Sequence, residues 1–156
     1  MAWESIDKEI TSEIVQQFGA EPEQLVQILQ AIVMRAGWIA EETILQLAYE
    51  LNLSRADVHG VVSYYHDFRT EPPGQNIVKV CQAEACQAMG SRALTDHARK
   101  LLGTDLHCTN DEVTLEPVYC LGNCACAPAV MINGKTHGRV DSHRLDELVG
   151  AMKEGA

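Results

Sequence analysis

Two pairs of cysteines, Cys81 with Cys86 and Cys120 with Cys124, each sit where a predicted β-strand runs out, and this placement constrains the fold more than any other feature of the chain. Ile77-Val78-Lys79-Val80 is a short apolar run that ends at Cys81, and Val113 to Tyr119 is a second that ends at Cys120. Between them Leu94, Ala98, Leu101 and Leu102 mark a helix that Gly103 terminates. Strand, helix, strand implies a right-handed crossover between parallel strands, which brings both cysteine pairs to one edge of the sheet. The carboxyl ends of parallel strands are where open α/β sheets bind their ligands. Pro117, inside the second run, predicts an irregular or edge position there.

After the second pair, Ala129-Val130-Met131-Ile132, the turn pair Asn133-Gly134 and Lys135 to Val140 predict an antiparallel hairpin. A closing helix carries Leu145, Leu148, Val149 and Met152. The order βαβ then ββα is that of a thioredoxin-like fold.

The first half has a different period. Ile6, Ile10, Ile14 and Phe18 form one helical stripe, and Leu25, Ile28, Leu29, Ile32 and Val33 form a second between Pro22 and Gly37. Ile44, Leu45, Ala48 and Leu51 predict a third behind the acidic Glu41 and Glu42. A fourth opens at Ser54, where Ser-Arg-Ala-Asp has the form of a capping box, and runs through Val58, Val61, Val62 and Tyr65. The fold class is therefore α/β, with an amino-terminal helical bundle, residues 1–74, ahead of a thioredoxin-like domain that carries the cysteines, residues 75–156. Charge divides the same way. Residues 1–74 carry twelve acids and four bases, a net of −8, whereas residues 75–156 carry ten and eight, a net of −2. Thr70-Glu71-Pro72-Pro73-Gly74 reads as the join, and the thin, acidic bundle reads as a docking element.

The overall charge of −10 argues against nucleic-acid binding, which needs basic surface to replace the counterions of phosphates. No apolar stretch reaches the length of a membrane span, and the polar start Met1-Ala2-Trp3-Glu4-Ser5 does not resemble a secretory signal. The expected location is the reducing cytoplasm, where six cysteines read as metal-binding or catalytic before they read as disulfides.

Four thiolates in two pairs suit an iron–sulfur cluster or a zinc ion. The segments are Cys81-Gln-Ala-Glu-Ala-Cys86 and Cys120-Leu-Gly-Asn-Cys124, so each loop can place two sulfurs on one iron of a binuclear cluster. Small residues surround them: Ala83, Ala85, Ala88, Gly90, Gly122, Ala125 and Ala127 allow backbone N–H groups to approach the sulfurs. Zinc pairs more often have two intervening residues, and the chain contains no Cys-x-x-Cys, which also counts against a dithiol oxidoreductase. Cys126 returns to the face of Cys124 if the segment is extended, but four thiolates already satisfy a cluster, so Cys108 and Cys126 are read as non-ligands. The histidines, His59, His66, His97, His107, His137 and His143, are scattered rather than placed beside the cysteine pairs as a Rieske centre requires. No nucleotide-binding or hydrolase motif is present, so nothing suggests that the chain attacks a substrate by itself. Tyr64, Tyr65 and Phe68 read as bundle core or subunit contact.

The run CQAEACQAMG followed by EPVYCLGNCACAPAVMINGKTHGRV resembles the thioredoxin-like 2Fe-2S ferredoxins, a family that includes the 24 kDa subunit of respiratory complex I. GWIAEETILQLAYELNLSRADVHGVVSYYHDF resembles that family's amino-terminal helical segment, so the likeness covers nearly the whole chain. It implies a 2Fe-2S cluster on Cys81, Cys86, Cys120 and Cys124 and places iron–sulfur above zinc. Within the family, SYYHDFR, CQAEACQAMG and CLGNCACAPA look most like the gamma subunit of soluble, molybdenum-dependent, NAD-linked formate dehydrogenases. That likeness implies an electron-transfer subunit beside a flavin- and NAD-binding beta subunit, in an assembly whose alpha subunit oxidises formate at a molybdenum cofactor. FMN and the molybdenum cofactor would then belong to those partners. The corresponding subunits of complex I and of NAD-linked hydrogenases are the alternatives inside the family; a zinc-stabilised interaction module and a free ferredoxin are the alternatives outside it.

Overall fold

The computed structural model describes residues 8–154 and divides into two compact units, with the boundary between Pro72 and Pro73. The expectations placed on Met1–Ser5 and on Ile6 lie outside the described residues.

The first unit is helical: α1 (Lys8–Gln17), α2 (Leu25–Ala36) after a short 3-10 turn at Pro22–Gln24, α3 (Glu41–Glu50) and α4 (Arg55–Tyr64). In α2, Leu25, Ile28, Leu29 and Ile32 are all buried, the i, i+3, i+4, i+7 stripe of a one-sided helix. Gly37 ends it at φ +79°, donating its N–H to the Val33 carbonyl at 2.8 Å. In α3 the buried stripe is Ile44, Leu47 and Ala48, with Leu51 just beyond, so Leu45 belongs to the outer face and is half exposed. Its place in the predicted stripe is corrected by a helical step of about 100° from Ile44.

Helix α4 starts with the capping box expected at Ser54. The Ser54 hydroxyl accepts from the Asp57 N–H at 3.1 Å and the Asp57 carboxylate accepts from the Ser54 N–H, also at 3.1 Å. The Ser54 side chain, followed by its backbone N–H, holds the Asp57 carboxyl below its ordinary value. Tyr65 caps the helix rather than extending it, and Tyr64 is largely exposed, whereas Phe68 is buried in the core with Ile14, Val15, Ile39, Val58 and Val62. The helical unit therefore owns an apolar core.

The second unit is a sheet with helices. Its elements are β1 (Asn76–Cys81), α5 (Glu84–Ala88), α6 (Ser91–Leu102), β2 (Cys108–Thr109), β3 (Val113–Val118), β4 (Val130–Ile132), β5 (Lys135–His137) and α7 (Ser142–Glu154). The sheet order is β2-β3-β1-β4-β5, with β1 and β3 parallel and the other pairs antiparallel. Val78 and Val80 of β1 are buried with Val113 and Leu115 of β3, Leu94, Ala98 and Leu102 of α6, and Leu145 and Val149 of α7. The intervening Lys79 and Glu116 are adjacent in register and lie 3.5 Å apart as a half-buried ion pair. This alternation is what a sheet with one core-facing side imposes on its strands.

Strand β2 has no counterpart in the periodicity of the sequence. It pairs Cys108 with Leu115 and Thr109 with Thr114 and stops there, so Pro117 has β1 on one side and no β2 residue on the other. A proline without a ladder N–H is accommodated by that local edge. The β4–β5 hairpin turns at Asn133 (φ +49°) and Gly134 (φ +82°), the left-handed pair of a type I′ turn. The Asn133 side chain and backbone bond the N–H and C=O of Ile77 at 2.9 and 3.0 Å, fastening the turn to β1. Strand β5 ends at His137 rather than at Val140, because Gly138 to Val140 leave the ladder for the second cysteine loop. Among the described residues, no helix is long and apolar enough to cross a membrane.

Pro73 and Gly74 are buried in the second unit. The Gly74 N–H donates to the buried Thr114 hydroxyl at 2.8 Å, and a Cβ at Gly74 would lie 2.8 Å from the Val113 nitrogen. The obstacle is strand backbone, which cannot yield as a side chain does. Gly74→Ala is expected to destabilise this unit by about 1–3 kcal/mol, the usual range for overpacking, and to lower its denaturation midpoint while leaving that of the helical unit unchanged; circular dichroism melts of the full chain read both.

Candidate metal centre

Parallel pairing of β1 with β3 positions the cysteines. Cys81 is the last residue of β1 and stands opposite Val118, the last residue of β3, so Cys120 follows two residues beyond on the adjacent strand. The Gln82 N–H donates to the Val118 carbonyl at 2.8 Å and the Cys81 N–H to the Ala129 carbonyl at 3.0 Å, which ties both strand ends together. The first loop then enters α5, where Cys86 is buried against Cys81 and Ala129. Gln87 bonds the Gln82 carbonyl at 2.7 Å, and Gln82 reaches the Thr95 hydroxyl of α6 at 2.6 Å, so this loop is held against a helix.

The second loop is fastened differently. Cys120 has φ +135°, a region that L-residues rarely adopt and that stores about 1–3 kcal/mol when the surroundings enforce it. The Gly122 N–H points back to the Cys120 sulfur at 3.3 Å, an instance of the N–H to sulfur contact that small residues permit. Cys124 opens a 3-10 turn, Cys124–Cys126, closed by the Cys126 N–H on the Asn123 carbonyl at 3.0 Å and the Ala127 N–H on the Cys124 carbonyl at 3.3 Å.

The four cysteines act on one another as two pairs. Cys86 feels its pair partner Cys81 and, more weakly, the charge of Cys124; Cys124 feels Cys120 and, more weakly, the charge of Cys81. Burial first, then its bond to Cys81, pushes the Cys86 thiol up. The Cys120 hydrogen bond and charge push the Cys124 thiol up. A coordinated thiol gives up its proton outright, so iron bound at Cys86 and Cys124 would offset this resistance to ionising. Among the described residues, no three or more His, Cys, Asp or Glu side chains close on a single point to hold one ion. Cys81 and Cys86 are buried while Cys120 and Cys124 are exposed, so the centre has an inner wall and an open side. The donor set fits an iron–sulfur cluster: four soft thiol ligands and an N–H directed at sulfur.

Cys108 lies in β2 at the sheet's edge and is exposed. Cys126 sits in the 3-10 turn rather than in an extended segment, so two residues carry it around the turn and away from the face of Cys124. Its contacts are with Gly138, a residue that local pattern does not mark.

This arrangement defines a cluster-bearing protein on a thioredoxin-like sheet. The thioredoxin-like [2Fe-2S] ferredoxin family matches residues 11–153, and the chain belongs to it; the family's cofactor is a 2Fe-2S cluster. A NADH-quinone oxidoreductase subunit of Pseudomonas aeruginosa is 33% identical over 128 residues, spanning 81% of this chain and 77% of that protein. The corresponding NADH-quinone oxidoreductase subunit of Buchnera aphidicola is 30% identical over 138 residues, 87% of this chain and 81% of its own length. An NAD+-reducing [NiFe]-hydrogenase crystal structure in the H2-reduced state shares the fold with a TM-score of 0.71 and 24% identity, over 85% of this chain and 22% of that one. The chain thus spans about a fifth of the hydrogenase chain it matches.

Replacing Cys86 or Cys120 by Ser is expected to abolish the visible absorption of the cluster or leave it severely unstable, because a hard alkoxide substitutes poorly for a soft thiolate. Cys108→Ser is expected to leave the spectrum intact. Iron and acid-labile sulfide per chain, measured with the absorption spectrum, check both.

Proposed function

We propose that the chain is the electron-transfer subunit of a soluble, cytoplasmic, molybdenum-dependent and NAD-linked formate dehydrogenase, and that Cys81, Cys86, Cys120 and Cys124 hold its one 2Fe-2S cluster. The observation that carries the reading is the convergence of two cysteine pairs at adjacent parallel strand ends, one pair buried and one exposed. The absence of any Cys-x-x-Cys and membership of the thioredoxin-like [2Fe-2S] ferredoxin family favour a binuclear centre over tetrahedral zinc. Both kinds of relative bear names of NAD-linked oxidoreductases, which supports a place beside a flavin- and NAD-binding subunit. The finer choice of formate dehydrogenase rests on Ser63-Tyr64-Tyr65 and on the CLGNCACAPA segment with Cys126.

When bound, the cluster takes up and returns electrons singly, as a partner flavin that exchanges hydride with NAD requires. The protein's part is to hold the buried Cys81 and Cys86 rigidly between sheet and α6, and to present the exposed Cys120 and Cys124 on the side from which a redox partner approaches. Formate oxidation falls to a molybdenum-containing subunit. The helical unit is the docking element in this reading: Tyr49 and Tyr64 are 88% and 74% exposed, tyrosine is enriched at interfaces, and the net charge of −8 over residues 1–74 suits a basic partner surface.

Isolation of the chain from its native host with whatever binds it tests the assignment. A brown complex containing molybdenum, flavin and formate:NAD activity is expected. Co-purification with a quinone reductase or a hydrogenase would overturn the choice of assembly, and a colourless zinc-loaded chain would overturn the cluster.

A further inference from the structure

Gly138 is distant in sequence from every cysteine pair, yet it is built against the loop that carries the second one. A Cβ added there would lie 2.6 Å from Asn123 Nδ2, 2.7 Å from Cys126 Cβ and 2.9 Å from the Cys126 carbonyl oxygen. Gly122 and Gly134, by comparison, have open space around the same position and owe their identity to positive φ. Gly138 is not among the residues of positive φ, so what excludes a side chain is the loop itself.

The two residues that follow continue the contact with backbone. Arg139, at φ +53°, donates its N–H to the Cys126 carbonyl at 2.6 Å, and Val140 donates to the Pro128 carbonyl at 3.0 Å. Residues 138–140 thus bracket residues 123–128, by main-chain bonds to Cys126 and Pro128 and by closeness to the Asn123 side chain. The bracketed segment holds Cys124, whose carbonyl accepts from Ala127, and Asn123, whose carbonyl accepts from Cys126. Displacing Asn123 or Cys126 by a few tenths of an ångström therefore displaces the Cys124 sulfur relative to Cys120, and with it the Gly122 N–H directed at Cys120. Hydrogen bonds to sulfur and ligand orientation are the levers by which a protein sets a cluster's potential.

We infer that Gly138, together with the Arg139 N–H, is the positioning element that fixes the Cys120–Cys124 ligand loop and so sets the potential and retention of the cluster. The inference rests on the ligand assignment above but not on the identity of the enzyme complex. It accounts for β5 ending at His137: the chain gives up ladder pairing with β4 to make contact with the loop.

The test compares full-length wild type, Gly138→Ala, Asn123→Ala, the double variant and Gly150→Ala, the last a glycine in α7 with nothing near its Cβ position. Electron paramagnetic resonance of the reduced chains, redox titration and iron release to a chelator are read in each. Gly138→Ala is expected to shift the resonance and the potential and to release iron several-fold faster than wild type. Asn123→Ala, which takes away the side-chain nitrogen nearest the Gly138 Cβ position without inserting bulk, is expected to shift the resonance as well, and the double variant to recover part of the Gly138→Ala change. If Gly138→Ala assembles no cluster, the Asn123→Ala spectrum decides. Resonance, potential and release rate equal to those of Gly150→Ala in both single variants would overturn the inference while leaving the ligand assignment standing; a wild-type chain with no cluster would overturn both.

Discussion

The parallel pairing of β1 and β3 is the constraint on which the rest of the cluster-bearing unit depends. Cys81 opposite Val118 puts the two cysteine loops side by side, and the Gln82 and Cys81 N–H groups lock that register onto Val118 and Ala129. A one-residue slip would turn every alternate side chain of β1 to the opposite face and carry the apolar Val78 and Val80 out of the core. Core packing and the placement of the cysteines are thus one problem solved once. The same valines that α6 and α7 cover also determine where Cys81 stops.

The two loops meet the chemistry from different directions. The first is buried and held by α6 through Gln82 and Thr95; the second is exposed, carries the unusual backbone of Cys120, and is held from outside by Gly138 and Arg139. A rigid inner pair and an outward pair suit a centre that must stay dry on one side and meet a partner on the other. The helical unit contributes no proposed ligand. Its core, the Ser54 capping box and the exposed Tyr49 and Tyr64 suit a folded surface offered to another protein.

Much of this was legible in the sequence because it rests on local period. The stripe of α2, the capping box of α4, the Asn133-Gly134 turn and the two apolar runs ending at cysteines are signals within a few residues, and the structure contains each of them. What local pattern did not reveal depends on distance through space. Strand β2 is two residues long and exists because Leu115 and Thr114 offer an edge. Pro73 and Gly74 have the composition of a join, yet they are buried because Thr114 accepts the Gly74 N–H. Leu45 is apolar but falls outside the α3 stripe. Gly138 looks like an ordinary hairpin glycine until Asn123 and Cys126 are seen against it.

One cluster shared by two strand ends is the central proposal, and iron K-edge X-ray absorption of the natively isolated chain tests it most directly. A first shell of sulfur alone around each iron is expected, with a single iron neighbour beyond it, in a sample free of stoichiometric zinc. Nitrogen or oxygen in the first shell, no iron neighbour, or a zinc edge in place of the iron edge would contradict it.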